Sequence, residues 1–148
     1  MTTTWIVAAD SARTRVLQVA DREKRLVEIE DFVNPEGRMN EQELTTGAEP
    51  RFSGHGGGAG PASDREAQGV REHSVTMLAK RLDDYLEKAR NQQRYDRLVV
   101  VAPPKFLGTL RKELGKEVSK LVSEEIPKDL SSLDARELER YFASRPAI

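Results

Sequence analysis

The sequence predicts an α/β protein, a mixed five-stranded sheet with helices on its faces in the order β-β-β-α-β-α-β-α, on three observations. Three strand-like segments follow one another between Thr4 and Val33 with only short polar turns between them, the pattern of an antiparallel meander. A long amphipathic stretch then precedes Leu98-Val99-Val100-Val101-Ala102, an uninterrupted run suited to a central strand covered on both faces. Beyond it helical and strand-like segments alternate, which favours right-handed crossovers packed on a sheet. A length of 148 residues fits one domain over 1–148 with a single core.

Each element has its own signal. Thr4 to Ala9 is a short apolar run ending at Asp10, consistent with a buried strand. Asp10 to Ala12 is a polar turn, its aspartate suited to bonding the amides ahead of it. Arg13 to Val19 is β-branched and partly alternating, and Leu26, Val27, Ile29, Phe32 and Val33 suggest a third strand. From 34 to 62 the composition turns rich in glycine and proline, predicting a long mobile loop. Ser63 and Glu66 match a capping box, opening a helix to about Arg90 whose stripe is Val70, Ser74, Met77, Leu78, Leu82, Tyr85 and Ala89. Pro103-Pro104 suits the first turn of a helix faced by Phe106, Leu107, Leu110 and Leu114, with Gly115 as its C-cap. Val118 to Val122 fits a last strand or a continued helix. Ser131 or Ser132 then caps a final helix carrying Leu133, Leu138, Tyr141 and Phe142. The order matches the ribonuclease-H-like arrangement, with Trp5–Ala9 and Leu98–Ala102 as parallel neighbours inside the sheet.

Composition excludes several chemistries. With no cysteine there is no disulfide, thiolate zinc site, iron–sulfur cluster or Cys nucleophile. Two histidines cannot build a histidine-only metal centre, and no cofactor is indicated. Lys+Arg is 24 against Asp+Glu 25, so nucleic-acid binding requires a local basic patch and not the field of the whole molecule. No apolar run approaches a membrane span, and no export signal is evident at the N-terminus. A cytoplasmic protein is expected.

Four constellations carry possible chemistry. Asp10, at the end of the first strand, stands where a two-metal nuclease places its first carboxylate, and Glu66 or Glu72 fits a second. The fourth strand, however, runs into Ala102-Pro103-Pro104 where a third is needed. No metal-dependent nuclease activity is therefore expected. Gly54-His55-Gly56-Gly57-Gly58-Ala59 satisfies G-x-G-x-x-A but does not join a strand tightly to a helix, and Pro61-Ala62 replaces the Lys-Ser/Thr of a phosphate loop. His55 is expected to be exposed, and His73 to be a structural residue at the margin of the helix stripe. Lys105, Arg111, Lys112, Lys116 and Lys120 form the nearest approach to a basic patch, interleaved with Glu113 and Glu117. Five glycines fall within Gly54–Gly60, costly to order and so suited to a segment that orders on a partner. The binding candidates are thus Gly54, His55, Gly56, Gly57, Gly58 and Gly60 with Lys105, Arg111, Lys112 and Lys116.

Three segments carry a family resemblance: Asp31-Phe32-Val33-Asn34-Pro35-Glu36-Gly37-Arg38, Tyr95 to Gly108 with its Ala-Pro-Pro-Lys-Phe-Leu-Gly stretch, and Lys128-Asp129-Leu130. Together they resemble the bacterial host-attachment protein family over almost the whole chain. That family is similar to the middle domain of archaeal and eukaryotic class-one peptide release factors and of Pelota. In release factors a Gly-Gly-Gln loop before the long helix promotes hydrolysis of peptidyl-tRNA. Here Gly56-Gly57-Gly58 occupies the corresponding place with no glutamine after the pair, and Gln68 lies too far along to replace it. The resemblance implies a ribosome or structured RNA as partner, bound by a non-catalytic or weakly catalytic module. A protein partner in attachment or stress is the alternative.

Overall fold

The computed structural model describes residues 2–20, 24–34 and 48–145, with side chains in the long helix described at 69–70 and from 72 onward. β1 (Thr4–Ala9), β2 (Arg13–Val19) and β3 (Leu26–Val33) are followed by α1 (Ala48–Asn91) and β4 (Arg97–Val101). Next come α2 (Pro104–Glu113), α3 (Lys116–Lys120), β5 (Val122–Ile126) and α4 (Ala135–Ala143). The sheet has the order β3-β2-β1-β4-β5, which is the ribonuclease-H-like arrangement expected. β1, β2 and β3 are antiparallel in turn, while β1 pairs β4 in parallel, Ile6 opposite Val99, and β4 pairs β5 in parallel.

All six residues of β1 are buried because alternate side chains serve two cores. Trp5, Val7 and Ala9 join Val16, Leu98 and Val100 beneath Leu78, Leu82 and Leu86 of α1, Phe106 and Leu110 of α2 and Val118 of α3. Ile6 and Ala8 face the other way, with Leu17, Val99, Val101 and Ile126, onto Leu138 and Phe142 of α4. The result is three layers, with α1, α2 and α3 on one face and α4 on the other. This is why β1 and β4 read as continuous apolar runs and not as alternating ones.

Tyr95 closes the first core from below. It is 3% exposed, its ring centroid lies 4.8 Å from that of Trp5, and its hydroxyl donates to the Leu86 carbonyl at 2.8 Å. Burial, reinforced by the nearby Glu87 carboxylate, pushes its pKa from 10 up to about 12. Because the unfolded chain releases this proton first, the stability it contributes is complete below pH 10 and lost as pH rises towards 12. The loss is on the order of 2 kcal/mol. Denaturant titrations between pH 9 and 12 should show it, and Tyr95→Phe should flatten that alkaline step.

Several expectations are corrected. The long helix does not start at a Ser63 cap, since its backbone runs from Ala48 and takes in residues 54–60. Composition weighs each glycine separately, at about 1 kcal/mol apiece. Elongating a helix already nucleated by packing instead gains one hydrogen bond for each residue fixed. Of the loop expected over 34–62, residues 35–47 lie outside the described residues, and so do the side chains of Gly54–Gly60 and of Ser63 and Glu66. Val70 and Met77 are 52% and 45% exposed and do not join the stripe, whose buried members are Ser74, Leu78, Ala79, Leu82, Leu86 and Ala89. The open choice over 118–122 resolves into α3 and then β5. Gly115 is the N-cap of α3, and α2 ends one residue earlier with Leu114 as its C-cap. Asp134, not Ser131 or Ser132, caps the last helix through a capping box with Glu137.

Candidate functional site

A cleft opens at the carboxyl ends of β1 and β4, between α1 and α2, with a volume of about 690 Å³. Neighbouring parallel strands whose continuations leave in different directions create a crevice at this end of a sheet. Its floor is the turn Asp10-Ser11-Ala12 together with Pro103. One wall is α1, with Glu72, Val75 and Thr76, and the other is α2, with Lys105, Phe106, Thr109, Lys112 and Glu113. Asp129, from the segment after β5, lines the remaining side.

The turn at the floor is built as its sequence implies. The Asp10 Oδ1 atom accepts from the amides of Ala12 and Arg13, both at 2.8 Å. Its Oδ2 accepts from the Ser131 hydroxyl at 2.8 Å. Both carboxylate oxygens are therefore occupied by internal donors, as a turn former's would be. Among the described residues, no group of three or more His, Asp or Glu side chains is arranged to hold a metal ion.

Ser131 is the joint between the two halves of the floor. Its Oγ also lies 2.8 Å from Asp129 Oδ1. Arg15, 5% exposed, fixes the same segment from the sheet side. Its Nε donates to Glu28 Oε1 at 2.5 Å, and its Nη1 donates to the carbonyls of Ser131, at 3.0 Å, and Leu133. Asp129 thus reaches the cleft because the segment from 129 to 134 is tied to β1 and β2.

The wall of α2 carries the cations. Lys105, Thr109 and Lys112 are spaced by four and three residues, which places them on one helix face. Lys105, Lys112 and Lys116 have no ion-pair partner among the described residues, and Glu113 has none either. Arg111 is committed elsewhere: its Nη2 lies 2.6 Å from Glu125 Oε1, so it clamps α2 to β5. Lys120 pairs with Glu117 at 3.4 Å. Of the expected basic cluster, Lys105 and Lys112 both line the cleft, Lys116 stands at the start of α3 outside that lining, and Arg111 leaves it.

His73 is exposed on α1 and does not pack as the structural histidine expected there. The side chain of His55 lies outside the described residues, as do any contacts of the glycine run. Sequence reasoning missed Thr109, Thr76, Glu113 and Asp129 as cleft residues. The spacing of Thr109 from the two lysines carried a signal, whereas nothing local announced Asp129. Among the described residues, no helix is long and apolar enough to cross a membrane.

Comparison with known proteins adds the following. An uncharacterised protein of Rickettsia prowazekii (strain Madrid E) is 39% identical over 64 residues, covering 42% of this chain and 43% of that protein. The chain thus matches less than half the length of that relative. The solved type II variant of the Aquifex aeolicus Ppx/GppA phosphatase overlays with a TM-score of 0.43 at 14% identity, over 85% of this chain and 36% of that chain. A family model described as "Protein required for attachment to host cells" matches residues 5–142, and the chain belongs to that family.

Proposed function

We propose that the protein is a non-catalytic or weakly catalytic RNA-binding module linked to translation, with the ribosome as the first partner to test. The observation that carries this reading is that Lys105 and Lys112 on α2 and Lys116 at the start of α3 have no ion partner among the described residues. In a chain of net charge -1, a local cluster of unpaired cations is what phosphate contacts require. The resemblance of the family to release-factor middle domains supports the same reading. Residues 1–148 act in it as one cytoplasmic domain, and the glycine-bearing stretch Gly54–Gly60 with His55 supplies a second contact. The absence of a glutamine after Gly56-Gly57 separates this role from peptidyl-tRNA hydrolysis.

A second reading, a protein-interaction module in attachment to host cells, is favoured by the description of the matched family. The two part in a salt titration. RNA capture should weaken linearly in log affinity against log salt, by about 0.7 to 0.9 per phosphate contact. Replacing Lys105, Lys112 and Lys116 together with glutamine should reduce that slope by about 2 to 3 while leaving the melting temperature nearly unchanged, since all three are exposed. Ribosome co-sedimentation and filter binding with purified ribosomal RNA measure both quantities. Purified protein that captures no RNA at low salt would favour the second reading.

A further inference from the structure

We infer that the cleft between α1 and α2 seats one nucleotide of single-stranded RNA whose base carries an exocyclic amino group, in preference to uracil. This assignment rests on RNA binding by the same lysine face and specifies what that face recognises. RNA sequence is read chiefly on unstacked bases, whose Watson–Crick edges meet hydrogen-bonding groups in a pocket. The cleft has the size for one, since about 690 Å³ lies within the roughly 300–1,000 Å³ of small-ligand sites.

The arrangement of charge sets the orientation. Lys105 and Lys112 both line the cleft and stand about 10.5 Å apart along α2, so they reach the phosphates on either side of a splayed nucleotide. Val75 and Phe106 form apolar wall between α1 and α2, against which a base can rest. A purely anion-binding site would not include the carboxylates of Asp10, Glu72, Glu113 and Asp129, and Asp10, Glu72 and Asp129 are engaged in interactions of their own. The oxygens of Asp10 are taken by two amides and the Ser131 hydroxyl, and Oδ1 of Asp129 accepts from the Ser131 amide at 3.3 Å. Glu113 lines the cleft with no ion partner among the described residues. An ionised carboxylate only accepts hydrogen bonds. It therefore matches the amino group of cytosine, adenine or guanine and is repelled by the carbonyls that flank the single N–H of uracil.

Fluorescence anisotropy of the 148-residue chain with short labelled oligomers of A, C and U, each at several salt concentrations, tests this. The A and C oligomers should bind at least about fivefold more tightly than U, the lower end of a specific base contact. Glu113→Gln should bring the preference below about twofold with the salt slope intact. Lys105→Gln with Lys112→Gln should instead lower the slope by about 1.4, at 0.7 per contact on a single strand, and keep the preference. Circular dichroism confirms that each variant folds. Equal binding of A, C and U with a lysine-dependent slope overturns the nucleotide pocket and leaves RNA binding standing. No binding to any oligomer or to ribosomal RNA at low salt overturns both.

Discussion

Replacing Arg15 with alanine should lower the unfolding free energy by about 2 to 3 kcal/mol, the cost of leaving buried carbonyls without their donor. Arg15 sits on β2 opposite Ala8 and is 5% exposed. Its guanidinium serves Glu28 on β3 and the carbonyls of Ser131 and Leu133 together. Removing it strands the two carbonyls, while the exposed Glu28 is left to water, and frees the segment that leads into α4. Arg15→Lys should recover only part of the loss, because one ammonium lacks the fork that spans three acceptors in fixed directions. Arg15→Met keeps most of the volume while leaving the two carbonyls unbonded, and should lie between the two. Urea unfolding followed by circular dichroism gives the ranking. A loss below about 1 kcal/mol for alanine would mean that the segment is held by its apolar contacts alone.

The parts of the fold legible in the sequence are those fixed by burial on both faces. β1 and β4 needed no partner to be recognised, since every position in Trp5–Ala9 and Leu98–Val101 is buried. The meander was legible for a related reason: its turns are short, and Asp10 declares one of them. β5 was obscured because it lies at the sheet edge. There Ser123, Glu124 and Glu125 replace the apolar run, and Arg145 and Arg111 pair with the two glutamates. The cap of α4 was misplaced by competition, since Ser131 and Ser132 are also good caps. Ser131 is instead drawn to Asp10 and Asp129, which leaves the Asp134–Glu137 box to start the helix.

The site was legible only in part for a different reason. Lys105 and Lys112 share a helix, so spacing exposes them. The contacts that bring Asp129 to the floor join residues 116 and 121 positions apart in the chain, Arg15 to Ser131 and Ser131 to Asp10. No local periodicity encodes such pairs, and they arise only once the sheet has placed β1 and β2 beneath the last segment.

Trp5→Ala should cost about 3 to 5 kcal/mol, the range for deleting a large aromatic from a packed core. Trp5 is wholly buried, with Tyr95 at 4.8 Å, Tyr85 stacked at 6.0 Å and the guanidinium carbon of Arg94 5.0 Å from its ring centroid. Its indole N–H donates to Gln18 Oε1 at 3.0 Å, so the side chain joins β1 to β2 as well as the sheet to α1. Trp5→Phe keeps an aromatic ring but removes the N–H and part of the volume. It should cost about 1 to 2 kcal/mol, one hydrogen bond plus a small cavity. Gln18→Met leaves the indole N–H without its acceptor and should cost about 1 kcal/mol or slightly more. If the hydrogen bond and the ring act on a shared contact, the loss for Trp5→Phe combined with Gln18→Met should fall short of the sum of the single losses by about 0.5 kcal/mol or more. As the chain has one tryptophan, its fluorescence follows unfolding in the Gln18 variant and in the parent protein, while circular dichroism follows the Trp5 variants. Strict additivity of the two losses would show that the Trp5–Gln18 bond contributes nothing to stability and that packing against Tyr85 and Tyr95 carries the whole effect.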